Sequence, residues 1–132
     1  MNAQARGTFD VTVTPAGAPP ASEGVALGRM TLDKRFAGDL AGTGSGQMLT
    51  AMTAVAGSAG YVAIERVVGA LHGRTGSFVL QHTGTMDRGE PRLLVSVVPD
   101  SGTGALAGIA GRLAIDIVDG RHFYTFDYTL PG

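Results

Sequence analysis

The acid and base side chains that stand out in this sequence lie in one apolar hairpin. The stretch YVAIERVVGALHGRTGSFVLQHTG, residues 61 to 84, reads as two apolar strands joined by a turn, with Glu65 and Arg66 in the first strand and His82 in the second. Successive side chains of a strand point to opposite faces, so Glu65 and Arg66 must see different surroundings. A carboxylate within reach of an imidazole fixes its tautomer and raises its basicity. We therefore take Glu65 and His82 as the candidate catalytic pair.

The length of the turn decides which charged side chain meets His82. An even-numbered loop, either Gly73-Arg74 or residues 72–75, places Glu65 opposite His82. A three-residue loop shifts the register by one and places Arg66 there instead. A structural network of charges without catalysis is the alternative interpretation of the same residues.

Further residues of the chain are candidates for contact with a bound molecule. Tyrosine combines an apolar ring with a polar tip, which suits a ligand pocket, although a core tyrosine with a satisfied hydroxyl fits the pattern equally. The candidate substrate-binding residues are Tyr61, Phe78, Leu80, Tyr124, Phe126 and Tyr128.

Other kinds of site find little support in the sequence. His72 and His122 lie next to turns, where we expect exposure, and no histidine or carboxylate spacing is typical of a metal site. The segment GTGSGQ, residues 42–47, lacks the Lys-Ser/Thr pair and the following helix of a phosphate loop, and is better interpreted as a flexible or bulged strand. We expect no metal and no cofactor.

The composition restricts the class of protein. The chain has 132 residues, which predicts a single domain over residues 1–132. With a net charge of −1, the chain lacks the excess of basic residues that binding to the phosphates of nucleic acid requires. No apolar run approaches the ~20 residues of a membrane helix, and the absence of cysteine fits a reducing compartment. We expect a cytoplasmic protein that binds neither nucleic acid nor membrane.

The hydrophobic pattern has the period of β-strands. In TFDVTVT, residues 8–14, apolar and polar side chains alternate strictly. Turn signals such as HGRTG, DRGEP, PDSGTG and VDGR separate further strands, and no segment combines the start, period and stop of a helix. The later strands are predicted at Tyr61–Leu71, Ser77–Met86, Arg92–Val98, Leu106–Val118 and His122–Leu130, after three earlier ones in TFDVTVT, VALGRMTLDKRF and GDLAGTGSGQMLTAM.

Eight strands in succession predict an all-β protein, an eight-stranded antiparallel up-and-down β-barrel. Closure removes the exposed edges of an open sheet, and a barrel of this size is either filled by side chains or holds one small ligand. An open sandwich of two sheets is the alternative.

The last hairpin allows its faces to be assigned. A two-residue turn at Asp119-Gly120 pairs Val118 with Arg121 and sets Arg112 opposite Asp127, which predicts a surface ion pair. The same register places one apolar set inward: Leu113, Ile115, Ile117, Tyr124, Phe126 and Tyr128.

Several blocks of the sequence carry a family resemblance: LGRMTLDKRFAGDL, GSAGYVAIERVVGALHGRTGSFVLQHTGTM, VVPDSGTGALAGIAGRLAIDI and HFYTFDYTL. Together they resemble the bacterial family known as domain of unknown function 3224, from about Gly7 to Leu130. The resemblance implies a barrel similar to allene oxide cyclase, of the lipocalin-like kind, that usually self-associates. No allene oxide cyclase catalytic motif matches residue by residue.

Two functions follow as hypotheses. The first is a cofactor-independent cyclase or isomerase that acts on a small apolar, lipid- or polyketide-like molecule in the barrel, with Glu65 and His82 as the acid/base pair. The alternative is a non-catalytic module that binds or carries a small hydrophobic ligand. A packed barrel that acts only through its oligomer surface is a third possibility. The low charge content and the apolar residues on both faces of the strand from Tyr61 to Val68 predict a homodimer or larger assembly.

Overall fold

The computed structural model describes residues 1–132 as a closed antiparallel barrel of eight strands in sequence order. Each strand pairs with the next, and the last pairs with the first, so the predicted up-and-down barrel is confirmed. The strands are β1 (Asn2–Gly17), β2 (Ala26–Gly38), β3 (Leu40–Met52), β4 (Ala59–Leu71), β5 (Arg74–Asp87), β6 (Glu90–Val97), β7 (Ala110–Val118) and β8 (Arg121–Thr129). The structure contains no helix of the length and apolarity that crossing a membrane requires.

One end of the barrel is closed by apolar side chains from its turns and loops. The predicted strand from Leu106 is wrong in its first part, because a short 3₁₀ turn (Gly104–Leu106) precedes β7, which begins at Ala110. Leu106 and Ile109 are fully buried. Side chains three positions apart cannot share a strand face, whereas a turn directs both into the end of the barrel.

The hairpin between β7 and β8 has the predicted register. Asp119 and Gly120 both have positive φ, as a type I′ turn requires, and Val118 pairs with Arg121. Arg112 lies opposite Asp127 as expected, but no ion pair forms between them. The Asp127 carboxylate instead accepts a hydrogen bond from the Gln4 side chain of β1 at 2.8 Å.

The register of the hairpin between β4 and β5 differs from the prediction by two residues. His72 and Gly73 form its two-residue turn, both with positive φ. Ala63 therefore lies opposite His82, and Glu65 lies opposite Leu80. Because a shift of two preserves the face, Glu65 and His82 remain on the same inward side as diagonal neighbours.

The segment from Gly42 to Gly46 is a regular part of β3 with no bulge, which corrects the bulged-strand interpretation. Its three glycines, Gly42, Gly44 and Gly46, occupy inward positions. A Cβ at Gly42 or Gly46 would overlap a backbone carbonyl of β4, so these strands approach more closely than side chains would permit.

Candidate functional site

A lysine, a glutamate and a histidine meet in the middle of the barrel. Lys34 of β2 donates to Oε1 of Glu65 at 3.0 Å, and Nε2 of His82 lies 2.8 Å from the same oxygen. Glu65 is fully buried, and Lys34 and His82 retain 7% and 3% exposure. Such burial of three ionisable groups is uncommon unless they are paired. We call these three residues the interior trio.

Lys34 was not predicted as a site residue, although the sequence contains a signal for it. In TLDKRF the alternation places Leu32, Lys34 and Phe36 on one face, and both apolar neighbours are buried. The Lys34 ammonium lies 4.7 Å from the ring centroid of Phe9, a cation–π distance. Lys34 is also the only lysine in the chain, since the other nine of its ten lysine and arginine residues are arginines.

Space for the Glu65 carboxylate comes from the neighbouring strand β3. Gly44 of β3 lies diagonally beside Glu65, and a Cβ at Gly44 would overlap Oε2 of Glu65 and press on the ring of Phe36. Glycine at this inward position therefore makes room for a charged side chain where a barrel of this size would otherwise be filled by apolar ones.

Glu65 is ionised in the resting protein, where its Oε1 accepts both hydrogen bonds. Burial on its own raises the pKa of Glu65, but the hydrogen bond from His82 and the positive charge and hydrogen bond of Lys34 outweigh burial and hold the pKa below its ordinary value. Because a carboxylate has no proton to donate, Nε2 of His82 must carry one. Oε2 of Glu65 is buried without a hydrogen-bond partner.

The second nitrogen of His82 remains available. Nδ1 makes no hydrogen bond within the protein and is not sealed from solvent. With Nε2 protonated, the neutral imidazole carries its lone pair on Nδ1. His82 can therefore act as a base toward whatever occupies the adjoining space.

That space is a cavity of about 200 Å³ at the open half of the barrel. All eight strands contribute to its wall, and nine of its twelve lining residues are hydrophobic. The lining residues are Phe9, Val11, Val13, Leu32, Lys34, Met48, Tyr61, His82, Leu93, Ile115, Ile117 and His122. Glu65 is not among them, so Lys34 and His82 stand between Glu65 and the cavity.

Tyr61 is the predicted substrate-binding residue that the structure places on the cavity wall. Its ring covers Gly84 on β5, where a Cβ would overlap the ring. Burial, and then the negative charge of Glu65, raise the pKa of Tyr61, so its hydroxyl stays protonated. The hydroxyl makes no hydrogen bond within the protein and can donate to a ligand.

Tyr124 and Tyr128 use their hydroxyls for structure. The Tyr124 hydroxyl accepts from the backbone N–H of Leu40 at 2.8 Å and lies 3.0 Å from the carbonyl oxygen of Ala37, so it fastens the turn between β2 and β3. The Tyr128 hydroxyl is hydrogen-bonded to Nδ1 of His72 at the closed end.

The other predicted binding residues lie in the closed half of the barrel, below the trio. Phe78 and Phe126 stack with ring centroids 5.6 Å apart, and Leu80 is fully buried with them. None of the three lines the cavity. His122, expected to be exposed, instead lies on the cavity wall 5.0 Å from the ring of Phe9.

Comparison with known proteins places the chain in a family. The model of the family described as "Protein of unknown function (DUF3224)" matches residues 5–128. The chain belongs to the DUF3224 family. A crystal structure of a DUF3224 protein of unknown function from Shewanella oneidensis MR-1 is 53% identical and superimposes with a TM-score of 0.95, over 100% of this chain and 99% of that one. No curated protein matches.

The cavity of this DUF3224 protein combines an apolar wall with a polar floor. Lys34 supplies a positive charge and His82 a base, and Glu65 holds both from behind. No three His, Asp or Glu side chains come together in a metal-binding group. The arrangement can remove a proton from an apolar molecule and stabilise the negative charge that results.

Proposed function

We propose that this DUF3224 protein is a cofactor-independent isomerase or cyclase that removes a proton beside a carbonyl group of a small apolar molecule. The observation that carries the proposal is that Lys34 and His82, whose Nδ1 has no hydrogen-bonding partner in the protein, share Oε1 of Glu65 and both line an apolar cavity. A base and a cation on one substrate are what enolate formation requires.

The roles follow from the positions of the three side chains. Nδ1 of His82 takes the α-proton, and the electrons of the broken C–H bond move to the carbonyl oxygen. Lys34 stabilises the enolate oxygen by its charge. In a conjugated enolate the imidazolium then returns the proton to the γ carbon, which moves the double bond. For cyclisation, the enolate carbon attacks a second carbonyl carbon of the same molecule, the π electrons of that carbonyl move to its oxygen, and the imidazolium protonates this oxygen. Glu65 orients His82 and supports its positive state, so it is a positioning residue.

The dimensions of the cavity limit the substrate. A volume of about 200 Å³ is below the roughly 300–1,000 Å³ typical of sites for drug-sized ligands. The substrate is therefore a compact molecule or the end of a longer chain that projects from the open mouth. The resemblance to the DUF3224 family implies a barrel similar to allene oxide cyclase, and this analogy of fold is the support for cyclisation as one outcome of the same chemistry.

Cyclohexanone in D₂O provides a test, because loss of its α-protons reports enolate formation directly. We expect the protein to exchange these protons faster than free imidazole at equal concentration, since the cavity positions the base and excludes water. The measurement is the decay of the α-proton signal by NMR, with line broadening of the β-protons as the readout of binding. Binding without faster exchange would contradict the proposal.

Carriage of a small hydrophobic ligand is the second candidate, and the predominance of hydrophobic lining residues favours it. A carrier binds without changing the ligand. In the experiment above it would broaden the cyclohexanone signals and leave the α-protons in place. Native mass spectrometry of the purified protein would then show a retained apolar molecule.

We also propose that the protein assembles as a homodimer through the outer face of β3 to β5. Leu49, Val62 and Ile64 are each about half exposed there, at 56%, 49% and 53%. Within β3 to β5 their cross-strand partners are one another or the neutral Gln47, Gln81 and Thr83, and Arg29 of β2 lies opposite Leu49 at the edge of the patch. A patch whose centre carries no charge can meet its own copy with little like-charge repulsion, as a two-fold interface requires.

Replacing Ile64 by lysine is expected to convert the dimer to a monomer, because it would bury an unpaired charge in the interface. Light scattering coupled to size exclusion measures the mass. Val118→Lys is the matched control, since Val118 is 53% exposed on β7, away from the patch. A monomeric wild-type protein at micromolar concentration would rule out the proposal.

A further inference from the structure

The single lysine of the chain has the surroundings of an amine that forms covalent bonds. Lys34 is 7% exposed and lines the cavity, and it is the only lysine, since the other nine Lys/Arg side chains are arginines, which do not form imines under ordinary conditions. Its Nζ lies over the ring of Phe9, and its hydrogen-bonding partner is Oε1 of Glu65 at 3.0 Å. A purely electrostatic role would not need an amine.

We propose that Lys34 forms an imine with an aldehyde or ketone bound in the cavity. This inference rests on the carbonyl substrate of the proposed function and specifies how Lys34 acts on it. Lysines in hydrophobic pockets are the usual imine-forming residues of proteins. Glu65 supplies the proton acceptor that the amine needs before it can attack.

The atoms of the reaction balance within the residues present. The ammonium of Lys34 gives one proton to Glu65, and the free amine attacks the carbonyl carbon while the π electrons move to oxygen. The amine proton moves to that oxygen to give a carbinolamine. Its hydroxyl takes the proton held by Glu65 and leaves as water, as the C=N bond forms. The product is a protonated imine that remains paired with the Glu65 carboxylate.

The imine would make proton removal by His82 easier. A positively charged nitrogen bonded to the former carbonyl carbon withdraws electrons more strongly than a carbonyl oxygen that only faces a charge. His82 and Lys34 share Oε1 of Glu65 as partner, so the base and the bound carbon skeleton would be close together. Hydrolysis by the reverse steps would release the product.

Reductive trapping tests this proposal, and the composition of the chain makes the test specific. Cyclohexanone and sodium cyanoborohydride would be added to the folded protein, and the modified residue located by peptide mass mapping. The chain offers only Nζ of Lys34 and the amino terminus as amines. We expect one cyclohexyl group on Lys34, formed faster than on the amino terminus, and no such group in Lys34→Met.

The outcomes separate this inference from the proposed function. Modification confined to the amino terminus would overturn the imine, and if α-proton exchange persists, the enolisation proposal stands without it. Modification of Lys34 without α-proton exchange would support the imine and contradict enolisation by His82. Equal modification of Lys34 in folded and urea-unfolded protein would also overturn the inference, since the cavity would then contribute nothing.

Discussion

Glu65→Gln is expected to destabilise the protein by about 3–5 kcal/mol, because it removes the negative charge that holds two buried donors. Lys34 and His82 both donate to one Glu65 oxygen and have no other hydrogen-bonding partner in the barrel. Glutamine has the same shape, but its amide carries no charge. The lysine would be left buried and unpaired. Urea denaturation followed by circular dichroism measures the loss.

The matched control replaces all three residues of the interior trio together. A buried ionic cluster exchanged for apolar side chains of similar volume is often as stable as the original or more stable. We expect Lys34→Met, Glu65→Leu and His82→Leu combined to be at least as stable as the wild type, while removing any activity. A triple variant as unstable as Glu65→Gln would show that the trio is a structural requirement of the barrel.

Glu65 also determines how the free energy of unfolding changes as the pH becomes acid. The folded pKa of Glu65 lies below its ordinary value of 4.5, so its ionised form contributes stability above that value. The contribution is lost as the pH falls from 4.5 toward the lower folded pKa. The triple variant lacks this contribution, and its stability should therefore fall less steeply over that interval.

Much of the fold could be predicted because local patterns agree with the final structure. The alternation in residues 8–14 places Phe9, Val11 and Val13 inward, as found on the cavity wall. The turn at Asp119-Gly120 set the pairing of the last hairpin correctly, since an Asp-Gly pair is a strong turn signal. The prediction that Glu65 and His82 share a face was also correct, because it requires only that the loop between β4 and β5 has an even number of residues.

The remaining features depend on contacts that no local pattern contains. His72 adopts a positive φ in its turn, and a histidine there is not a strong turn signal, so the register was misplaced by two. The role of Gly44 becomes clear only beside Glu65, which lies on a different strand. The burial of Lys34 could not be predicted, because a single charged side chain in a strand is more often exposed to solvent than buried.

His82→Gln is expected to slow α-proton exchange by about 10² to 10⁴-fold, the usual contribution of a positioned general base. Glutamine can still donate a hydrogen bond to Glu65, so the carboxylate keeps a neutral donor while the base is lost. His122→Gln is the matched control, because His122 lines the same cavity but makes no hydrogen bond to Glu65. That variant should exchange at close to the wild-type rate.

The most direct test of the account is therefore the rate of cyclohexanone α-proton exchange in D₂O, measured side by side for the wild type, His82→Gln and His122→Gln. Broadening of the cyclohexanone β-proton signals in the same samples shows whether all three proteins bind the ketone. Fast exchange is expected in the wild type and in His122→Gln, and a large loss of exchange in His82→Gln. Equal rates in all three, with binding retained, would contradict the assignment of His82 as the base.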